Sequence, residues 1–341
     1  MSNKSAAALL HVVGSHVAGD VIKFNLRRKE FDRKNNRSIG RINVSTGSRE
    51  RPDAVVIDSN MTPLEASVVL WEINIMGAPV YDAESKTFIG MFDVRDILSC
   101  VIAARREYKL ISDRDDHHNP GEDTHMVSDV DVHADEQNSR RELIAKALQL
   151  MKISSKAPHP GAITVSYLAA RNPLAQCTKD SSLFDVCRVL ASRHQHRVII
   201  TDETPSSAKA CIGIISQSGL VSFIAGKCPP GSLDVKMVDA GLQYKKDVIQ
   251  IDSVSSASDA FELIDSNRLS GIAVVNEDGK LVGNTSATDI KHAIMAGKTN
   301  MDTDILSYLA HVRQTSVMQN DKYPSCHVHE DATIAHIDIH N

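Results

Sequence analysis

The residues best equipped for chemistry sit at the ends of short apolar strands. Asp96 closes "FIGMFDVRDIL" (88–98), where an apolar run meets Asp93, Arg95 and Asp96 and then a helix expected from Ile97. Asp289 ends "SATD", with Ser286 three residues before it. A carboxylate beside a helix start is usually a cap or a dipole partner, because the first turn exposes unpaired N–H groups. The cations are His196-Arg197, just ahead of an apolar strand, and Arg268. A guanidinium grips a phosphate with two parallel hydrogen bonds and an imidazole adds one more; an edge-of-strand basic pair facing solvent needs no ligand at all.

The elements that must position these groups recur three times. The segments "APVYDAESKTFIGMFDVRDIL" (78–98), "RVIITDETPSSAKACIGIISQSGLV" (197–221) and "IAVVNEDGKLVGNTSATDI" (272–290) each read as strand, turn, strand, helix. Turn chemistry at 82–86, 202–208 and 276–279 joins β-branched runs as hairpins. An amphipathic helix precedes each hairpin. The first is capped by Thr62 with Pro63 at its first position and shows Leu64, Val68 and Trp71 on one face. The second is capped by Ser181 or Ser182, with Leu183, Val186 and Leu190 facing inward. The third is capped by Ser255 or Ser256, with Ala260, Phe261 and Ile264 inward. Strands at 54–57, 175–178 and 248–251 complete a unit of strand, helix, strand, strand, helix. A fourth unit starts at "YPSCHVHEDATIAHI", with a strand near 325–328 and a helix start near Asp331 or Thr333, but its closing hairpin and helix do not follow before Asn341.

Composition narrows the function classes. At 341 residues the chain exceeds what one core normally organises, and 42% apolar with 24% charged residues is ordinary for a soluble globular protein. A net charge of −5 gives no global attraction to nucleic acid, and 4% aromatics are too few for a base-stacking platform. No apolar stretch approaches the roughly 20 residues that span a bilayer. Six cysteines without a CxxC pair read as buried or free thiols in a reduced intracellular setting, cytoplasmic or also nuclear. The apolar "AAALLHVVGSHVAG" and the basic block Arg27–Arg37 lack the order of a secretory signal; the block is a solvated arm, a phosphate patch or a nuclear signal. The acidic, His-containing stretch 113–142 reads as a disordered insert rather than a metal site, followed by an amphipathic helix at 140–153. "CHVHEDATIAHIDIH" separates its neighbours by strand alternation and makes a poor zinc site. No nucleophile elbow, Walker loop or HExxH is found, so no metal and no cofactor is expected.

A strand, a capped helix, an "APV"-like segment, a hairpin and then S/T-x-x-D is the pattern of CBS domains, and the chain resembles that family over roughly 50–110 and 160–337. Its order and linkers are most similar to the gamma regulatory subunits of AMP-activated protein kinases. The resemblance implies an α/β fold of tandem CBS repeats paired into Bateman modules, with the fourth repeat truncated. The organisation expected is an N-terminal arm (1–50), repeat 1 (51–109), the acidic insert and helix (110–159), repeat 2 (160–228), repeat 3 (235–299) and the start of an incomplete repeat 4 (300–341).

The resemblance also implies a ligand. In similar proteins the aspartate of S/T-x-x-D accepts hydrogen bonds from the two ribose hydroxyls of an adenine nucleotide (AMP, ADP or ATP), a role that falls on Asp96, Asp289 and Ser286. Two acceptor oxygens suit a vicinal diol, and charged hydrogen bonds are the stronger kind. Phosphate contacts fall on His196 and Arg197, with Arg268 at the comparable place in repeat 3. Departures matter too: Asp93 replaces the usual hydroxyl, Gly219 removes the anchor in repeat 2, and Met76 and Ser218 replace two cations. The expected ranking is one site from Asp96 with His196 and Arg197, and a half-site at Asp289. The function implied is a non-catalytic regulatory subunit whose partners are kinase catalytic and scaffold subunits, the scaffold met by an N-terminal strand. The alternatives are a stand-alone CBS protein for an adenosyl ligand and a non-binding paralogue.

Overall fold

The hairpin signals become antiparallel strand pairs, and the strand ahead of each capped helix adds to its pair in parallel. The computed structural model describes residues 3–25, 54–73, 75–116, 163–192, 196–202, 207–241, 247–296, 301–315 and 332–335. Helices α1 (Asn3–Ser15) and α2 (18–25) come first. Repeat 1 is β1 (Ile57–Asp58), α3 (Pro63–Ile73), β2 (Gly77–Asp82), β3 (Thr87–Asp93) and α4 (Val94–Asp116). A short α5 (Val165–Ala170) leads into repeat 2: β4 (Ala175–Thr178), α6 (Leu183–Ala191), β5 (Arg197–Thr201), β6 (Cys211–Ser216) and α7 (Gln217–Lys227). Repeat 3 is β7 (Gln250–Asp252), α8 (Ala257–Ser266), β8 (Gly271–Val275), β9 (Leu281–Ser286), a 3-10 turn (Ala287–Asp289) and α9 (Ile290–Ala296), followed by α10 (Ile305–Thr315). Each repeat has its own three-stranded sheet in sequence order.

Caps and turns set these boundaries. Thr62 and Glu65 form a reciprocal box, the Glu65 N–H donating to Thr62 Oγ1 at 3.1 Å and the Thr62 N–H to Glu65 Oε2 at 2.8 Å. Ser182 and Ser256 are the caps of α6 and α8, accepting from Asp185 and Asp259 amides. The 276–279 turn closes through Gly279 at φ 71°, a left-handed conformation glycine adopts without strain. The inward faces of α6 and α8 are those expected. In α3 the expected face holds in part: Leu64 and Trp71 pack against the core of repeat 1, but Val68 is 39% exposed and the fully buried stripe is Pro63, Ala66, Ser67 and Leu70. That stripe has helical spacing, but its small members carry no hydrophobic signal; Ser67 satisfies its hydroxyl on Pro63 O at 2.6 Å.

Each repeat is completed by a segment that precedes its partner. The N-terminal segment, expected as an arm with a docking strand, is helical: Val12, Ala18, Val21 and Ile22 enter the core of repeat 2. Ala18 N–H donates to Ser181 O and Leu183 N–H to His16 O, both at 3.0 Å. Conversely α5 packs Val165, Leu168 and Ala169 into the core of repeat 1. The second pair repeats this exchange. Segment 301–315 caps repeat 3 through Ser258 N–H to Met301 O (2.7 Å) and Ile305 N–H to Ser255 O (2.9 Å). Residues 233–237 pair with 332–335, where Thr333 bridges Lys236 and helix begins at the fourth repeat's expected start.

The two halves join through α4. Val94, Leu98, Val101 and Ile102 share one core with Phe261, Ile264, Ile290 and Tyr308. Ser99 Oγ donates to Asp265 at 2.5 Å and Arg105 Nη2 to Asp302 at 2.6 Å. Cys100, Cys177, Cys187, Cys211 and Cys228 are free thiols, and burial pushes Cys100 up to about 12 and Cys211 to about 11. No described helix is long and apolar enough to cross a membrane. The basic block, the histidines of the insert, the 140–153 helix, the 325–328 strand and the histidines after it lie outside the described residues.

Candidate functional site

Asp96 lies in the first turn of α4, which begins at Val94 rather than Ile97 because the carboxylate itself closes the helix start: Asp93 N–H donates to Asp96 Oδ2 at 2.8 Å. Asp96 is 5% exposed, and Asn172 Nδ2 stands 3.0 Å from each of its oxygens. Burial, seconded by the charge of Asp93, raises its carboxyl to about 7, against the pull of the Asp93 amide, Asn172 and Arg171.

Sequence reasoning missed Asn172, which follows α5. Its N–H bonds Ala169 O at 2.9 Å, its carbonyl accepts from Met91 N–H at 3.1 Å, and its Nδ2 also donates to Met91 O at 3.1 Å. This close crossing of α5 over β3 depends on Gly90, where a Cβ would meet Ala169 O at 2.0 Å and Asn172 O at 2.8 Å. Repeat 2 has the same geometry. Gly213, in register with Ile200 as Gly90 is with Val80, lies under Ile22, and Asn25, three residues on, stands beside Gly219. An asparagine from the exchanged segment thus faces the anchor position in both repeats, and the only sequence signal is its place eight residues beyond Thr164 or Val17.

Repeat 3 is different. Eight residues beyond Asp304, which bridges Ser256 as Val17 bridges Ser182, stands Val312, buried in the core. Asp289 is 7% exposed; among the described residues its donors are Ser286 N–H (2.9 Å), Thr285 Oγ1 (3.2 Å) and Ser286 Oγ (3.3 Å), all on Oδ2. Thr285 and Ser286 also line a cleft of about 390 Å³, whose walls include Val248, Ile249, Leu269 and Ile272. Strand register places the cleft on the surface that meets a second sheet in the first pair of repeats. Leu281 and Ala273 of the cleft correspond to Cys211 and Ile199, which in the first pair fill the space between two sheets together with Met91.

The cations divide. Arg197 crosses from repeat 2 to repeat 1, its Nη1 3.7 Å from Asp93 Oδ2, where Arg95 Nη2 is already bound at 3.0 Å. Burial works against the charge of Arg197 and lowers its pKa, and Asp93 offsets part of that. His196 stays on its own repeat, Nδ1 3.5 Å from Gln217 Oε1. Arg268 is not at the place comparable to Arg197. Arg197 pairs with Ser216 and Gly271 with Ser286, so Gly271 is the equivalent residue; Arg268 sits three residues earlier, at φ 53° in the turn after α8. Among the predicted site residues the fold therefore joins Ser286 to Asp289 and carries Arg197 to the Asp93–Asp96 helix start, but leaves His196 apart.

Residues 242–296 match the family model of the CBS domain. That segment is repeat 3, from ahead of β7 to the end of α9. Over 309 residues the chain is 25% identical to Protein sds23 of Neosartorya fischeri, covering 86% of this chain and 50% of that one. Over 254 residues it is 19% identical to the 5'-AMP-activated protein kinase subunit gamma of Kluyveromyces lactis, covering 72% of this chain and 64% of that subunit. The chain thus spans about half the length of the Sds23 relative and under two thirds of the gamma subunit. Its CBS fold is shared with a Methanocaldococcus jannaschii protein whose crystal structure is described as that of "a putative archaeal homolog of g-AMPK", at TM-score 0.52 and 14% identity over 86% of each chain.

Proposed function

We propose that the chain is a regulatory adenine nucleotide-binding protein whose principal site is the cleft of repeat 3. The observation that carries this is the cleft itself, with apolar walls for a base and a polar edge of Thr285 and Ser286, behind which both residues are hydrogen-bonded to Asp289, for a ribose diol. This reverses the expected ranking, because Asn172 stands on both oxygens of Asp96, whereas the donors to Asp289 among the described residues all sit on Oδ2. Arg268, next to the cleft residue Leu269, supplies the phosphate charge, and His196 and Arg197 do so for a ligand between repeats 1 and 2. Regulation follows from differential affinity: a nucleotide that prefers one arrangement of the repeats shifts the population toward it. Likeness to the gamma subunit supports kinase catalytic and scaffold subunits as the readers of that arrangement.

Calorimetric titration with AMP, ADP and ATP tests the reading. Wild type binds at least one of them and Asp289→Ala loses it; no binding by wild type, or unchanged affinity in the variant, removes the repeat 3 site. Co-purification with kinase subunits tests the partner. One observation favours an adenosyl ligand without phosphates at repeat 1: Asp93 adds negative charge there and already engages Arg95 and Arg197. Adenosylmethionine therefore belongs in the same titration.

A further inference from the structure

We infer that Asn172 is an internal competitor for the Asp96 anchor, so that repeat 1 is held shut by the segment preceding repeat 2 and accepts a ribose diol only when that segment lifts. The inference rests on the ribose-anchor reading of Asp96 given above. A carboxylate offers two oxygens to a diol, and here one amide nitrogen stands 3.0 Å from both. The competitor is fixed in place rather than incidental. Asn172 is tied to Met91 on its backbone and its side chain, and Gly90 provides the clearance that lets Ala169 and Asn172 reach the strand. Repeat 2 carries the same device without its target, Asn25 beside Gly219. Repeat 3 carries the target without the device, Asp289 with Val312 at the matching place. Closure is therefore a property of the asparagine and its docking, and repeats 1 and 3 differ in accessibility although both keep the aspartate.

A ligand entering repeat 1 must break the Asn172–Asp96 contacts, and anything that holds residues 163–172 down against β3 opposes it. This places control of the site on the linker between repeats 1 and 2 rather than on the repeat itself.

Two independent variants of the full chain release the device: Asn172→Ala removes the donor, and Gly90→Ala drives the segment off the strand. AMP binding is counted by equilibrium dialysis, and amide hydrogen exchange is followed by mass spectrometry. Wild type takes up one AMP, at repeat 3, and each variant takes up two, the second being lost when Asp96→Ala is added. Exchange of residues 164–171 rises at least tenfold in both variants while that of 197–201 is unchanged, which also shows that the fold persists. Two AMP in wild type, or one AMP in both variants despite faster exchange, overturns the inference. Wild type that binds none beside an Asn172→Ala variant that binds one, lost with Asp96→Ala, overturns the repeat 3 reading and leaves this inference standing. No binding by any of the proteins overturns both.

Discussion

Arg197 Nη1 of repeat 2 lies 3.7 Å from Asp93 Oδ2 of repeat 1, and it is the second guanidinium on that carboxylate after Arg95 at 3.0 Å. Removing the acid strands two cations, whereas removing Arg197 leaves the acid still paired. Asp93→Ala should therefore lower stability by roughly 1–3 kcal/mol and Arg197→Ala by clearly less, as read from urea midpoints at constant m. Equal losses would show that Arg95 does not hold Asp93 by itself.

The buried carboxyl of Asp96 predicts a pH dependence. With its folded-state pKa raised to about 7 from an ordinary 3.8, the folded protein binds this proton more tightly than the unfolded chain. Its contribution to stability is present at low pH and is lost as pH climbs from about 4 through 7. Asp96→Asn removes the titration, so the variant should gain on wild type between pH 5 and pH 8, on the order of 2 kcal/mol. A difference that does not change with pH would contradict this.

Gly219 is the third position of α7, where the helix N-terminus favours an acid, and a Cβ there would stand 3.1 Å from Asn25 Nδ2. Asn25 must move by a few tenths of an ångström, after which its amide can donate to the new carboxylate. Gly219→Asp should raise stability by about 0.5–1 kcal/mol from the helix terms alone, and Asn25→Ala should remove any further gain. Thermal unfolding of the two variants and their combination measures this.

Phe261 is fully buried between α4 and repeat 3 and meets Tyr308 edge-on, with ring centroids 5.5 Å apart. Phe261→Ala should cost about 3–5 kcal/mol and weaken both the repeat 3 core and its contact with repeat 1. Ser99→Ala should cost far less, since Asp265 can return to water.

Much of this architecture was legible because it is local. Thr62, Ser182 and Ser256 announce helix starts through bonds to residues three positions on, and the turn at Gly279 follows from its backbone freedom. The face of α3 is legible only in part: Leu64 and Trp71 meet the core, but Ala66 and Ser67 pack by smallness, which hydrophobic spacing does not register. Asp96 and Asp289 were found as helix-start acids, and Ser286 with them, but which site stands open depends on Asn172 and Val312. Both come from segments distant in sequence, and no periodicity marks their meeting with β3 or α8. Arg268 was misplaced for a related reason: a tight turn at φ 53° shifts the count between helix and strand.

The exchanged helices have a consequence for synthesis. Residues 3–25 leave the ribosome well ahead of repeat 2, yet the core that receives Val12, Val21 and Ile22 is not complete until Phe223 has been made. Until then an apolar surface waits beside a nascent repeat 1 that has no place for it, and repeat 1 in turn lacks α5. Such non-local closure delays native contacts and prolongs exposure to aggregation. Translation through the intervening stretch therefore sets how long these helices remain without the core that receives them.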